Sequence, residues 1–132
     1  MATSIMNLRA VIFDMDGVIS DTQVIHSKIE TQLLREYGIE LSPDEITRRF
    51  SGSTSKEMFP QIFAEAKKEM PPLMDIVREK WRRVDGAIPG KVREIPGTRI
   101  FIESLKAMGL PLAVASSSRR AFIDLVLREL KF

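Results

Sequence analysis

Two short apolar runs interrupt an otherwise helical rhythm. Ala10-Val11-Ile12-Phe13 is β-branched and aromatic, and Asp14-Met15-Asp16-Gly17 stops it. Leu112-Ala113-Val114-Ala115 is the second, bounded by Gly109, Pro111 and the serines Ser116, Ser117 and Ser118. Continuous rather than alternating apolarity predicts two strands buried on both faces, as in a parallel sheet.

The remaining apolar positions recur at helical spacing. Ile25, Ile29, Leu33 and Tyr37 mark a first helix, with Asp21 or Thr22 as N-cap and Gly38 as its stop. Ser42-Pro43-Asp44-Glu45 combines a capping box with proline at the first helical position and starts a short helix that fails near Gly52. Another runs through Ile62, Phe63 and Ala66, and a fourth carries Leu73, Ile76, Val77, Trp81 and Val84 up to Gly86. The stretch 85–97 is rich in glycine and proline and reads as a linker. Phe101, Leu105 and Met108 mark a helix ended by Gly109; Phe122, Val126, Leu127 and Leu130 mark the last, with Ser118 as its N-cap.

The order is strand, helical insertion, linker, helix, strand, helix. A helix leading into a buried strand is the second half of a right-handed βαβ crossover, so the strands should lie parallel and adjacent, with the insertion looped out as a lid. The fold class is α/β: a partial Rossmann-like parallel sheet over 1–19 and 92–132, with an inserted α-helical cap over 20–91. Ligands in such sheets bind beyond the carboxyl ends of the strands. Asp14 and Ser116 are the first polar residues past those ends.

Composition narrows the chemistry. The chain has 132 residues, 44% of them hydrophobic and 29% charged, which suits one folded domain and excludes a disordered one. There is no cysteine and a single histidine, His26, so thiolate catalysis, Cys-ligated zinc and any site of several imidazoles are excluded. Twenty Lys+Arg against eighteen Asp+Glu leave +2, scattered in pairs, which points to no nucleic acid. No apolar run approaches the ~20 residues of a membrane span and no signal-peptide core opens the chain, so a cytoplasmic protein with no membrane partner is expected.

The chemistry must rest on carboxylates, hydroxyls and cations. Asp14 and Asp16 start on one side of an extended segment, and Gly17 lets the chain turn away. Crowded carboxylates raise each other's pKa unless a cation lies between them. A hard divalent ion, magnesium foremost, resolves that crowding and draws in phosphate. One carboxylate can then attack a phosphoryl group while its neighbour handles the leaving-group proton. Ser116, Ser117 and Ser118, with Arg119 and Arg120, offer hydroxyls, amides and a helix N-terminus to an anion. The plain alternatives are a solvated Asp-Gly turn and a serine-capped loop.

The stretch Val11-Ile12-Phe13-Asp14-Met15-Asp16-Gly17-Val18-Ile19-Ser20-Asp21-Thr22 resembles the first motif of the haloacid dehalogenase-like hydrolases, and Leu112-Ala113-Val114-Ala115-Ser116-Ser117-Ser118 resembles their second. Ile95-Pro96-Gly97 resembles the return from a helical cap in the branch that holds β-phosphoglucomutases and phosphoglycolate-type phosphatases. The resemblance implies Asp14 as the nucleophile that becomes an aspartyl phosphate and as a magnesium ligand. It implies Asp16 as the acid/base that lends its backbone carbonyl to the metal, and Ser116 as a hydrogen-bond partner of the phosphoryl group. The lysine and second acidic pair that complete such sites on later strands have no counterpart here, so the chain is expected to be the N-terminal part of a longer enzyme, lacking the C-terminal part of the core.

In the loop Ser51 to Glu57, Lys56 helped by Arg49 could hold a second anionic group of the substrate; the alternative is a helix-to-helix turn with a capping box from Thr54 to Glu57. The absence of arginine from this loop favours a phosphatase of a small phosphorylated metabolite over a sugar-phosphate phosphomutase. A non-catalytic fragment or pseudoenzyme is the rival from another class. His26 reads as a partly exposed helix position and Trp81 as core of the cap.

Overall fold

The computed structural model describes residues 7–132, so residues 1–6 of the expected first core segment lie outside the described part. Its elements are β1 (Val11–Phe13), α1 (Thr22–Glu36), α2 (Pro43–Phe50), α3 (Ser55–Ala66), α4 (Leu73–Ala87), α5 (Thr98–Ala107), β2 (Leu112–Val114) and α6 (Arg120–Glu129). The expected α/β order is present, and β1 and β2 pair in parallel with Val11 opposite Leu112 and Phe13 opposite Val114. No described helix is long and apolar enough to cross a membrane.

The apolar residues gather in two clusters. Leu33, Leu34, Ile46, Phe59, Ile62, Phe63 and Ile76 form one, entirely within the helical insertion. Phe13, Met15, Ile19, Val84, Phe122 and Val126 form the other, under the strands. Burying each such large side chain is worth about 1.5 to 3 kcal/mol. Local rules start the insertion's helices. Ser42 Oγ accepts from the Glu45 N–H, and Thr54 and Glu57 form a reciprocal capping box that begins α3 well before Ile62.

Two linkers join the insertion to the strands, and they are pinned to each other. The Ile95 N–H donates to the Ile19 carbonyl at 2.8 Å and the Asp21 N–H to the Arg93 carbonyl at 2.9 Å. Asp21 Oδ1 accepts from the Arg93 N–H rather than capping α1. The stretch 85–97 is therefore partly ordered: α4 runs through Gly86 to Ala87, and Glu94 bridges antiparallel to Ser20.

The expectation that both faces of the sheet are buried does not hold. Phe13 is buried, with Val11, Leu112 and Val114 packed against its cluster, whereas Ile12 is 69% exposed and its partner Ala113 is exposed too. Successive side chains of a strand alternate between faces, and α5 and α6 cover one face of this pair. Trp81 is likewise not confined to the insertion: half-buried, it packs against both clusters.

Candidate active site

Past the tips of β1 and β2 lies a cavity of about 420 Å³, walled on one side by Asp14, Asp16, Ser117 and Ser118 and on the other by helices of the insertion. The parallel register places these groups. β1 delivers Asp14, Gly17 turns the chain at a positive φ of 79° that suits glycine, and the Gly17 N–H closes the turn on the Ser20 carbonyl at 2.7 Å. The two strand tips meet as expected: Ser116 Oγ donates to Asp16 Oδ2 at 3.3 Å across a separation of 100 residues.

The two carboxylates stand in different surroundings. Asp14 is exposed, and one oxygen accepts from the neighbouring Met15 N–H at 2.8 Å. Asp16 is wrapped. Thr22 Oγ1 donates to its Oδ1, Ser118 Oγ donates to its Oδ2 at 2.9 Å, and His26 Nε2 lies 3.3 Å from Oδ1. Burial pushes the Asp16 carboxyl up, but the close approach of the His26 imidazole, together with hydrogen bonds from Thr22 and Ser118, outweighs it and holds the carboxyl at about 2 against an ordinary 3.8. The mutual raising expected of crowded carboxylates is thus reversed for Asp16.

Three other expectations are corrected. His26 is 5% exposed and lies edge-on against Trp81 and Phe122, so it is a buried neighbour of Asp16. Ser118 does not cap α6, whose N-cap position is Arg119; its hydroxyl is turned to Asp16 and its N–H donates to Ser116 Oγ. Arg119 is drawn to Asp85 and over the Trp81 ring, away from an anion at the strand tips. On the insertion, the expected capping box of Thr54 and Glu57 is present. Arg49 is paired with Glu65 at 2.6 Å, Lys56 is exposed, and neither lines the cavity.

The residues that the motifs left out share a pattern. Thr22, His26 and Glu30 recur every four residues and are all buried, a polar row along one face of α1. That spacing was visible in the sequence beside the apolar row of Ile25, Ile29 and Leu33.

The donor set can be tested against a divalent cation. Both oxygens of Asp16 are already engaged by protein groups, and among the described residues no three or more acidic, histidine or cysteine side chains are grouped so that they could hold a metal ion. The open Asp14 carboxylate with backbone oxygen remains. That set suits magnesium, which keeps several waters and takes one or two carboxylates beside a substrate phosphate.

Comparisons with known proteins agree on one family. The sequence model described as haloacid dehalogenase-like hydrolase matches residues 11–132. A phosphorylated carbohydrates phosphatase of Thermotoga maritima is 31% identical over 113 residues, 84% of this chain and 50% of that protein. Among solved structures, a hydrolase from Pseudomonas syringae superposes with a TM-score of 0.79 at 21% identity, covering 94% of this chain and 57% of that one, a likeness of fold alone. A HAD family hydrolase from Deinococcus radiodurans, crystallised with phosphate and sodium, gives 0.65 at 29% identity over 92% of this chain and 52% of its own. The chain spans about half the length of the relatives it matches.

Proposed function

The chain belongs to the haloacid dehalogenase-like hydrolase family, and on that premise we propose that it carries the nucleophile half of a phosphatase acting on a small phosphorylated metabolite. One observation carries the reading: an open carboxylate, Asp14, and a fully hydrogen-bonded one, Asp16, face one cavity at adjoining strand tips. Asp14 has the freedom to attack phosphorus, which would form the acyl-phosphate O–P bond, break the ester P–O bond and release an alkoxide that takes its proton from water. Asp16, oriented by Thr22, His26 and Ser118, is the acid/base. Held near 2, it rests as the carboxylate that a base needs for taking a proton from the water that cleaves the acyl phosphate. Magnesium held by the Asp14 carboxylate and the Asp16 backbone carbonyl would neutralise charge on the transferring phosphoryl group.

Phosphoryl transfer gathers negative charge, and removing a cationic stabiliser commonly costs about two to three powers of ten in rate. Among the described residues the cavity lining holds one lysine or arginine, Lys80, already paired to a carboxylate. That observation favours a second reading in which this chain by itself binds phosphate without turning it over. The test is magnesium-dependent hydrolysis of p-nitrophenyl phosphate, with acid-quenched protein assayed for labelled acyl phosphate. Label and turnover that both vanish in Asp14→Asn are the expected result. Phosphate binding without label supports the second reading, and turnover that survives Asp14→Asn removes the proposal.

A further inference from the structure

The helical wall of the cavity carries a charge pair that phosphoryl transfer does not use. Thr22 and His26 of the polar row on α1 face Asp16, and the next member, Glu30, meets Lys80 of α4. Lys80 Nζ lies 2.8 Å from Glu30 Oε1 and donates to Ser55 Oγ at 2.8 Å. Both charged side chains are only 7% exposed, both line the cavity, and the Lys80 ammonium sits 4.9 Å from the centre of the Trp81 ring. A pair removed from water this far is costly to build, and breaking it by removing one partner is costlier.

The setting of the pair gives it a purpose. Beside it the wall is uncharged, with the hydroxyls of Thr47, Ser51, Ser53 and Thr54 set among the apolar Ile46, Phe50 and Met58. The cations that the sequence offered for a second anion lie elsewhere, Arg49 on Glu65 and Lys56 on the outside. Lys80 is thus the sole Lys or Arg among the described lining residues, and Glu30 cancels it at contact distance. A substrate's hydroxyls find partners on such a wall. A second phosphate or carboxylate finds the Glu30 charge in a poorly solvated place with no free cation to offset it.

We infer that the Glu30–Lys80 pair is a specificity determinant: it fits the cavity to the monophosphate of an uncharged, polyhydroxylated body and sets it against substrates that bear a second anion. The inference rests on the phosphatase reading and goes beyond it, because it names the feature of the leaving group that is selected and the residues that select it.

Titration calorimetry of the chain with magnesium tests it, using glucose 6-phosphate, fructose 1,6-bisphosphate and 6-phosphogluconate, with inorganic phosphate as competitor. The expected result is that glucose 6-phosphate binds at least about tenfold more tightly than either of the others. Glu30→Gln, which unmasks the Lys80 charge, should shrink that gap to a few-fold, and Glu30→Gln with Lys80→Met should restore it. Should Glu30→Gln not fold, Lys80→Met carries the test: it leaves the Glu30 charge without its cation and should widen the gap, and a gap that does not change overturns the inference. Equal or tighter binding of the bisphosphate or the aldonate by the unaltered chain, or a double variant that prefers either, overturns the inference and leaves the phosphatase reading standing. If none of the three binds and inorganic phosphate does not either, the phosphatase reading itself has failed and the inference falls with it.

Discussion

In the helical insertion Phe59, Phe63, Ile46 and Ile76 are sealed from solvent, whereas around the strands Ile12, Ile100, Phe101 and Met108 stand open to it. Both regions are rich in apolar side chains, so the difference lies in topology. Helices of the insertion follow one another closely in sequence, and each lays its apolar face on a neighbour a few turns away. A parallel sheet gathers strands from distant parts of a chain, and among the described residues it has two of them. The insertion closes its own core; the strand region covers one face of its sheet and leaves the other open.

The same contrast holds across the cavity between the walls. The insertion brings a pair of opposite charges matched to each other, and the strand tips bring carboxylates matched to hydroxyls and one imidazole. Acidic charge at the strand tips exceeds what the neighbouring side chains offset, which suits a site completed by a cation.

Several measurements would break or sharpen this contrast. Phe59→Ala in the closed core should cost about 3 to 5 kcal/mol in urea unfolding. It should act on the insertion first, so amides of α2 and α3 that lose hydrogen-exchange protection ahead of those of β1 and β2 would sharpen the contrast, and loss of both together would erase it. Acid should act on the strand tips next. The Asp16 carboxyl is lowered in the folded state, so its contribution is fully present above the unfolded value near 3.8 and fades as pH falls towards about 2. In metal-free protein that loss amounts to about 2 kcal/mol, and His26→Gln should reduce it; acid unfolding that ignores His26→Gln would show that His26 takes no part in holding Asp16 as a carboxylate. Thr54→Ala removes the capping box of α3 and should cost about 1 kcal/mol by the same urea measurement. Smallest of all, Ile12→Thr on the open face should change stability by less than about 0.5 kcal/mol while lowering the tendency to associate in light scattering. A large loss of stability at Ile12 would mean that the face is covered after all.

Much of the fold was legible in advance because it depends on neighbours in sequence. Ser42-Pro43 and Thr54-Glu57 begin helices by local hydrogen bonds, and β1 and β2 are unbroken apolar runs. Half of the site was legible for the same reason: Asp14, Asp16 and Ser116 end their strands, and the parallel pairing that carries them together follows from the helix before β2. The burial of His26 is not legible in its own helix because it depends on Trp81 and Phe122, which reach it from other elements. The role of Ser118 is not legible either, because a hydroxyl near a helix start can cap the backbone or turn to a carboxylate, and Asp16 wins here.

What the amino-acid order determined by itself was the set of elements, the parallel strand pair and the acid motif at its tip, since these rest on periodicity, caps and chain direction. Only the folded arrangement decided that Asp16 is held as a carboxylate, that Arg49 and Arg119 turn to acidic partners of their own while Lys56 stays on the outside, and that Glu30 neutralises Lys80 on the far wall. Charges and hydrogen bonds act through distance in space, and residues 16, 30, 80 and 118 share a cavity solely because the chain folds back on itself.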